Sequence, residues 1–280
     1  MPRLTQRLLA SGDHKVTVIS RDPSKIADLQ GAIVAKGSFE DAATLKAAFE
    51  GADTLFWLTP PNYRPDFEAW AQDAATLAAS AAKAAGIDRV VVLSSVGAQH
   101  AEGNGPVDAL HRVEGVFTRA GFSSVGIMRP ANFMENLFFS ADTIKNASAV
   151  FGPTPGDIKV PWVATRDIGA RAAQIIEDTS WSGVKHFGVH GPADVSWDEV
   201  VAHLSHVLGR QIAYVQVGLE DVRAGMLEAG MPEFVADMFV ELYDGGLKGT
   251  MAAAEPRDAS TTTPTTVQTF IDDTFVDAVR

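Results

Sequence analysis

The chain has 280 residues, and its 23 Lys and Arg stand against 35 Asp and Glu for a formal net charge of -12, so repulsion from a phosphate backbone sets nucleic acid aside as a direct partner. It has no cysteine, which excludes disulfides, thiolate zinc sites and a cysteine nucleophile. No apolar run approaches bilayer-spanning length, so the expectation is a cytoplasmic protein with no membrane partner, long enough for one large α/β domain and an appendage.

An apolar helical pattern, Leu4, Leu8 and Leu9, stops at Gly12, and the strand "VTVIS" follows and ends in Ser20, Arg21, Asp22 and Pro23. The pattern then predicts a helix from Pro23 to Gln30, a short strand "AIVA", and a helix "DAATLKAAFE" closed by Gly51. The apolar strand "DTLFWL" leads to an Ala-rich helix ending at Gly86, and then to "DRVVVLSS", whose middle is apolar throughout. Such a strand between helices indicates a parallel sheet covered on both faces. A helix from Val107 to Ala120 and the strand "SSVGIMRP" complete a regular alternation up to Pro130. This is the doubly wound, Rossmann-type α/β pattern.

Beyond Pro130 the rhythm loosens. A helix from Asn132 to Asn146, a loop "FGPTPGD", a helix from Arg166 to Asp178, the strand "HFGVHG", the helix "SWDEVVAHLSHVLG", the strand "IAYVQV" and two helices around Gly230 are expected. "ASTTTPTT" reads as a surface connection before a last helix. The division is a dinucleotide-binding domain over 1–130 and a small mixed α/β substrate region over 131–280, packed as one unit.

Arg21 stands just past the first strand, where many dinucleotide folds carry an acid for the ribose 2′-hydroxyl. An arginine there suits a 2′-phosphate and favours NADP over NAD, with Lys25 adding charge, although "RDP" is equally a solvated turn into a helix. Ser94 ends "VVVLSS" beside the expected nicotinamide, where a hydroxyl can hold a substrate carbonyl or the carboxamide, or simply end the strand. Thr59, Pro60 and Pro61 end "DTLFWL" as a cofactor wall or as a plain stiff loop. His203 and His206, and His186 and His190, lack an acidic third ligand at a metal-motif spacing. His111 lies on the helix after Ser94 and can face the site, and no Tyr-x-x-x-Lys occurs.

Taken in order, "VISRDPSK", "RVVVLSSVGA", "RPANFMENL", "FGPTPGDIKVPWVATRDIGA", "GPADVSWDEVVAHLSHVLGR" and "AEPRDASTTTPTT" resemble the NmrA-like, atypical short-chain dehydrogenase/reductase family over nearly the whole chain. The bacterial members similar to NAD(P)H:quinone oxidoreductases and the clavine-type dehydrogenases come nearest. The resemblance implies 2′-phosphate contacts at Arg21 and Lys25, adenine contacts at Ser38 and Phe39, and nicotinamide-side contacts at Thr59, Pro60, Pro61 and from Phe133 to Asn136. His111 falls where some members carry a lysine. It also implies an NADP(H)-dependent oxidoreductase passing hydride to a small electrophile such as a quinone, enone or imine, with solvent or His111 supplying any proton. An apolar pocket of Phe133, Met134, Phe138 and Phe139 would suit that substrate, and the same aromatics also read as core. The other reading is a non-catalytic, cofactor-sensing regulator with a protein partner, and a homodimer is a further possibility.

The family pattern begins with a central strand and a glycine-rich turn that the sequence does not show ahead of Leu4. The expectation is therefore a sequence that starts late, with roughly 15 to 20 residues belonging upstream, poorly stable as written and weak in NADPH binding.

Overall fold

The computed structural model describes residues 2–280. The first half consists of α1 (Pro2–Ser11), β1 (Thr17–Ser20), β2 (Ile33–Lys36), α2 (Ala42–Phe49), β3 (Thr54–Leu58), α3 (Phe67–Ala84), β4 (Arg89–Leu93), α4 (Pro106–Arg119) and β5 (Ser124–Pro130). The second half carries β6 (Asn132–Phe133), α5 (Ala141–Ala147), β7 (Ala149–Gly152), β8 (Val160–Val163), α6 (Thr165–Glu177), β9 (Gly183–Val189) and β10 (Asp194–Val195). It closes with α7 (Trp197–Leu208), β11 (Ala213–Gln216), α8 (Leu219–Glu228), α9 (Glu233–Lys248) and α10 (Val267–Phe270).

Four parallel strands in the order β3-β4-β5-β9 make the main sheet, and β1 and β2 pair in parallel as a second one. Among the described residues β1 pairs only with β2, and β3 only with β4. β4 shows why its sequence is an unbroken apolar run. Val90 and Val92 face α2, α3 and α4, while Val91 and Leu93 face α1 and α6, so successive side chains are buried on opposite faces. Ile19 of β1 and Ala35 of β2 pack on the α2–α3–α4 side, so both sheets share that helical layer.

The other layer joins the two halves of the chain. Leu4 and Leu8 of α1 bury with Ile168, Ala172 and Ile175 of α6 under Leu93 and Met128. This approach needs Gly169, where a Cβ would stand 3.1 Å from the backbone nitrogen of Leu4. α6 runs from the carboxyl edge of the sheet to its amino edge, because Glu135, just past β6, accepts from the Thr165 N–H, and Arg89, at the start of β4, donates to the Ile175 carbonyl. α1 meets the first turn of α6 at Leu4, so its N-terminus also lies toward the carboxyl edge.

A third core, with Trp162, Ile144, Leu204, Phe270 and Phe275, holds the second half together around two small sheets, β10-β8-β6 and β11-β7. α9 returns to the first half and lies against α4 at Gly105. That residue has φ of 57°, and a Cβ there would meet the Met238 carbonyl at 2.0 Å.

Two expected helices differ from the sequence pattern, and β7, β8 and β10 are short strands that it did not show. The expected helix from Pro23 to Gln30 is a single 3-10 turn over Pro23–Ile26, started by Asp22 accepting from the Ser24 N–H and holding no buried residue. Leu29 is the one buried residue of the expected stretch, and its N–H closes a separate turn on the Ile26 carbonyl, so the helix is not carried on. The expected helix from Asn132 to Asn146 opens instead as β6, because Asn132 and Phe133 pair with Trp162 and Val163 of β8. A 3-10 segment, Met134–Ser140, then precedes α5.

Phe117 is fully buried between Trp57 and Phe122, with ring centroids 5.7 and 6.3 Å away. Phe117→Ala should cost about 3 to 5 kcal/mol of stability, read as a fall in the urea midpoint at constant slope.

Candidate functional site at the carboxyl edge of the sheet

Because the strands of both sheets are parallel, Ser20, Lys36, Leu58, Leu93, Pro130 and Val189 all end on one edge. In open α/β sheets this is the edge that takes ligands. Its centre is a buried ionic network. Arg129, near the end of β5, donates from Nε to Glu114 Oε1 at 3.0 Å and from its terminal nitrogen to Glu114 Oε2 at 2.6 Å, a bidentate pair. Its other terminal nitrogen reaches Glu255 at 3.2 Å. Burial alone would push the Arg129 guanidinium down, but the bonds and charges of Glu114 and Glu255 outweigh it and hold the group above its ordinary value.

Ser94 joins this network, since its Oγ donates to Glu114 Oε1 at 2.5 Å while its backbone N–H is tied to the Met128 carbonyl. At the end of β9, His190 Nε2 lies 3.3 Å from the Glu255 carbonyl oxygen, an acceptor, so the proton sits on Nε2 and Nδ1 carries a lone pair. That Nδ1 and Glu255 Oε2 are buried without a hydrogen-bond partner. Burial foremost, helped by the Arg257 charge, pushes the His190 imidazole below its ordinary value against the pull of the Glu255 carbonyl bond.

The residues singled out in the sequence fall into three groups on this edge. Arg21 and Lys25 are exposed past β1 and make no ion pair among the described residues. Lys36, which the sequence reading passed over, ends β2 opposite Ser20 and adds a third exposed cation beside them. Ser38 is half-buried and accepts from the Glu40 N–H at 3.2 Å. Phe39 packs edge-on against Trp57 and Trp70, with centroids at 5.7 and 5.9 Å, so its ring is largely a core contact.

Thr59 is buried and its Oγ1 accepts from the Trp57 indole at 3.0 Å; Pro60 behind it is half-buried and Pro61 exposed. Half-buried His111 lies 2.8 Å through Nδ1 from the Ala98 carbonyl, so Nδ1 is the protonated nitrogen and Nε2 is left free. Phe133 is half-buried on β6, and Asn136 is exposed on the 3-10 segment. The residues proposed as an apolar pocket divide: Met134 is wholly buried core, Phe138 packs edge-on against Phe270 and Phe275, and Phe139 is 87% exposed.

Glu114, Arg129 and Glu255, like Lys36, are polar residues of this edge that sequence reasoning missed, and His190 was weighed there only as a metal ligand. No cluster of three potential metal ligands and no helix long and apolar enough to cross a membrane occurs among the described residues.

The NmrA-like family profile matches residues 3–272. The NAD(P)H azoreductase of Xenophilus azovorans is 33% identical over 242 residues, covering 85% of this chain and 80% of that protein. Quinone oxidoreductase 2 of Escherichia coli (strain K12) is 25% identical over 246 residues, covering 84% of this chain and 80% of that one. Among solved structures, the NADPH-dependent quinone oxidoreductase QOR2 of Escherichia coli in complex with NADPH gives a TM-score of 0.84 at 23% identity, over 98% of this chain and 95% of that one. The triphenylmethane reductase of Citrobacter sp. in complex with NADP(H) gives 0.81 at 20% identity, over 96% and 94%. These two share the fold.

Arg129→Met leaves Glu114 and Glu255 buried without their cation and should destabilise the protein by about 3 to 5 kcal/mol in urea unfolding. His190, held neutral with a depressed pKa, contributes stability that is complete above its ordinary value of 6.5 and is lost as pH falls through the folded-state value. His190→Gln should flatten the acid limb of stability against pH in that window, and an unaltered limb would exclude His190 as its source.

Proposed function

The chain belongs to the NmrA-like family, and from that premise we propose that it is an NADP(H)-dependent oxidoreductase that passes hydride to a small electrophile such as a quinone, an azo compound, an enone or an imine. The observation that carries this reading is the extent of the match to the azoreductase, 33% identity over 85% of the chain. The reading of the edge agrees with it.

Three exposed cations, Arg21, Lys25 and Lys36, stand at the ends of β1 and β2, and a phosphate on a ribose is the group such a set would take. Arg21 and Lys25 would hold the 2′-phosphate, with the Ser38 hydroxyl and the Phe39 edge beside the adenine. The N-terminal turn of α1, on the same side of the sheet, offers amides and a positive dipole end to the pyrophosphate. Thr59 to Pro61 and Ser94 would line the nicotinamide side. The bound reduced nicotinamide supplies the hydride.

The protein's own part is then to fix the geometry and keep water out. His111 has its Nδ1 proton committed to Ala98, so it can hand a proton to the product only from Nε2, after taking one there from solvent. The exposed Phe139 and the partly exposed Phe138 offer an aromatic wall for a flat acceptor.

Two measurements test the reading. NADPH oxidation across a panel of quinones, azo dyes and imines should show turnover with at least one class, whereas NADPH binding without any turnover would leave the non-catalytic sensor. Arg21→Ala should weaken NADPH binding by about 1.5 to 3 kcal/mol, the worth of a bond to a charged group, and barely change NADH. Equal losses for both cofactors in calorimetry would remove Arg21 from the phosphate.

A further inference from the structure

The Ser94 hydroxyl has one proton and gives it to Glu114 at 2.5 Å. The oxygen that receives it also accepts from Arg129 Nε at 3.0 Å, and the other carboxylate oxygen accepts from the same guanidinium at 2.6 Å. A carboxylate clamped bidentately by an arginine, with both side chains 8% exposed, stays ionised and has no proton to return. Ser94 Oγ is therefore left with lone pairs alone, and nothing among the described residues donates to them. Glu255 Oε2 and His190 Nδ1, also tied into this network, are buried acceptors without a donor. This part of the edge has more acceptors than donors; Glu255 Oε2 and His190 Nδ1 are sealed from solvent, so a group that reaches the largely buried Ser94 Oγ meets only lone pairs there and must bring an N–H or O–H.

We propose that Ser94, its polarity set by Glu114, accepts a hydrogen bond from the carboxamide N–H of the nicotinamide and does not polarise the carbonyl or imine of the substrate. The inference rests on the NADP(H) reading above and makes Glu114 a positioning residue. To donate to a substrate oxygen, the hydroxyl would have to leave an ionised acceptor in a buried site for a neutral one, exchanging a bond about twice as strong for a weaker one. To accept from an amide costs it nothing, because the second bond uses an idle lone pair and leaves the first in place. The site thus reads the cofactor's amide, and the electrophile must be reactive without help from this serine.

The test is calorimetric titration of the full chain with NADPH and with the reduced 3-acetylpyridine analogue, in which a methyl group replaces the amide nitrogen. The wild type should prefer NADPH by about two- to tenfold, the worth of one neutral hydrogen bond. Ser94→Ala should bring the ratio near one by weakening NADPH alone, and Ser94→Thr, which keeps the hydroxyl, should restore it. Glu114→Gln, which frees the hydroxyl to turn, should lower the ratio, and the Ser94 pair decides the matter even where that variant fails to fold. A wild-type ratio near one, or a preference that survives in Ser94→Ala, overturns the inference while the NADP(H) reading stands. A wild type that binds neither dinucleotide overturns that reading, and the inference with it.

Discussion

Arg129 is the constraint around which the carboxyl edge of the main sheet is arranged. Placing a guanidinium near the end of a fully buried strand is costly, and the cost is tolerable only because two carboxylates from distant parts of the chain come to it with good geometry. Glu114 brings α4 against β5, and Glu255 draws the segment after α9 across the ends of β5 and β9. One cation thus fixes three backbone segments relative to one another. Removing Glu114 would leave the guanidinium with a single bond to Glu255, and removing Arg129 would leave two buried carboxylates without a cation, so the contacts are not independent of one another.

The helical layers carry that fixed point outward. α6 belongs by sequence to the second half of the chain but by packing to the first, because its apolar face and that of α1 bury together under Leu93 and Met128. Asp167 on α6 accepts from the Thr265 N–H and hydroxyl at 2.9 and 3.0 Å, which fastens the last part of the chain to the same helix. The stretch after α9 is consequently held at two points, by Glu255 on Arg129 and by Thr265 on Asp167. Phe270 and Phe275, which follow Thr265, are thereby set where Phe138 packs against them.

What could be read in the sequence follows from how local each cause is. β4 was legible because burial on both faces leaves an unbroken apolar run, and α3 because its alanines recur at helical spacing up to Gly86. β6 was not legible, since Asn132 and Phe133 become a strand only through pairing with Trp162 and Val163, while the residues themselves read as helix. The turn at Pro23–Ile26 read as a longer helix because a capping Asp and a proline mark where a helix starts and say nothing of how far it runs. Of the candidate site, Arg21 and Ser94 were visible as residues that end strands. Arg129 carried a signal that went unused, for an arginine closing an otherwise apolar strand must find an acid, and Glu114 sits among the buried residues of α4. Glu255 lies too far along the chain for spacing to suggest it.

The edge is also polarised along its length, and this has a consequence for how an anionic ligand approaches. With a net charge of -12, the protein as a whole repels a dinucleotide phosphate, and that repulsion is felt beyond a Debye length of about 8 Å only weakly at physiological salt. Inside that distance local charge decides. Arg21, Lys25 and Lys36 make the β1-β2 end attractive, whereas the β4-β5-β9 end holds a buried network with one more carboxylate than cation and acceptors without donors. On the proposed reading, a dinucleotide with a phosphate at its adenosine end and an amide at its nicotinamide end would match that polarity in one orientation only. Reversed, it would set phosphate oxygens against Glu255 and Ser94 lone pairs, and leave three cations facing an uncharged amide. On the proposed NADP(H) reading, the orientation that brings the nicotinamide to the main sheet would be favoured by charge at one end and by hydrogen-bond polarity at the other, before any shape complementarity is counted.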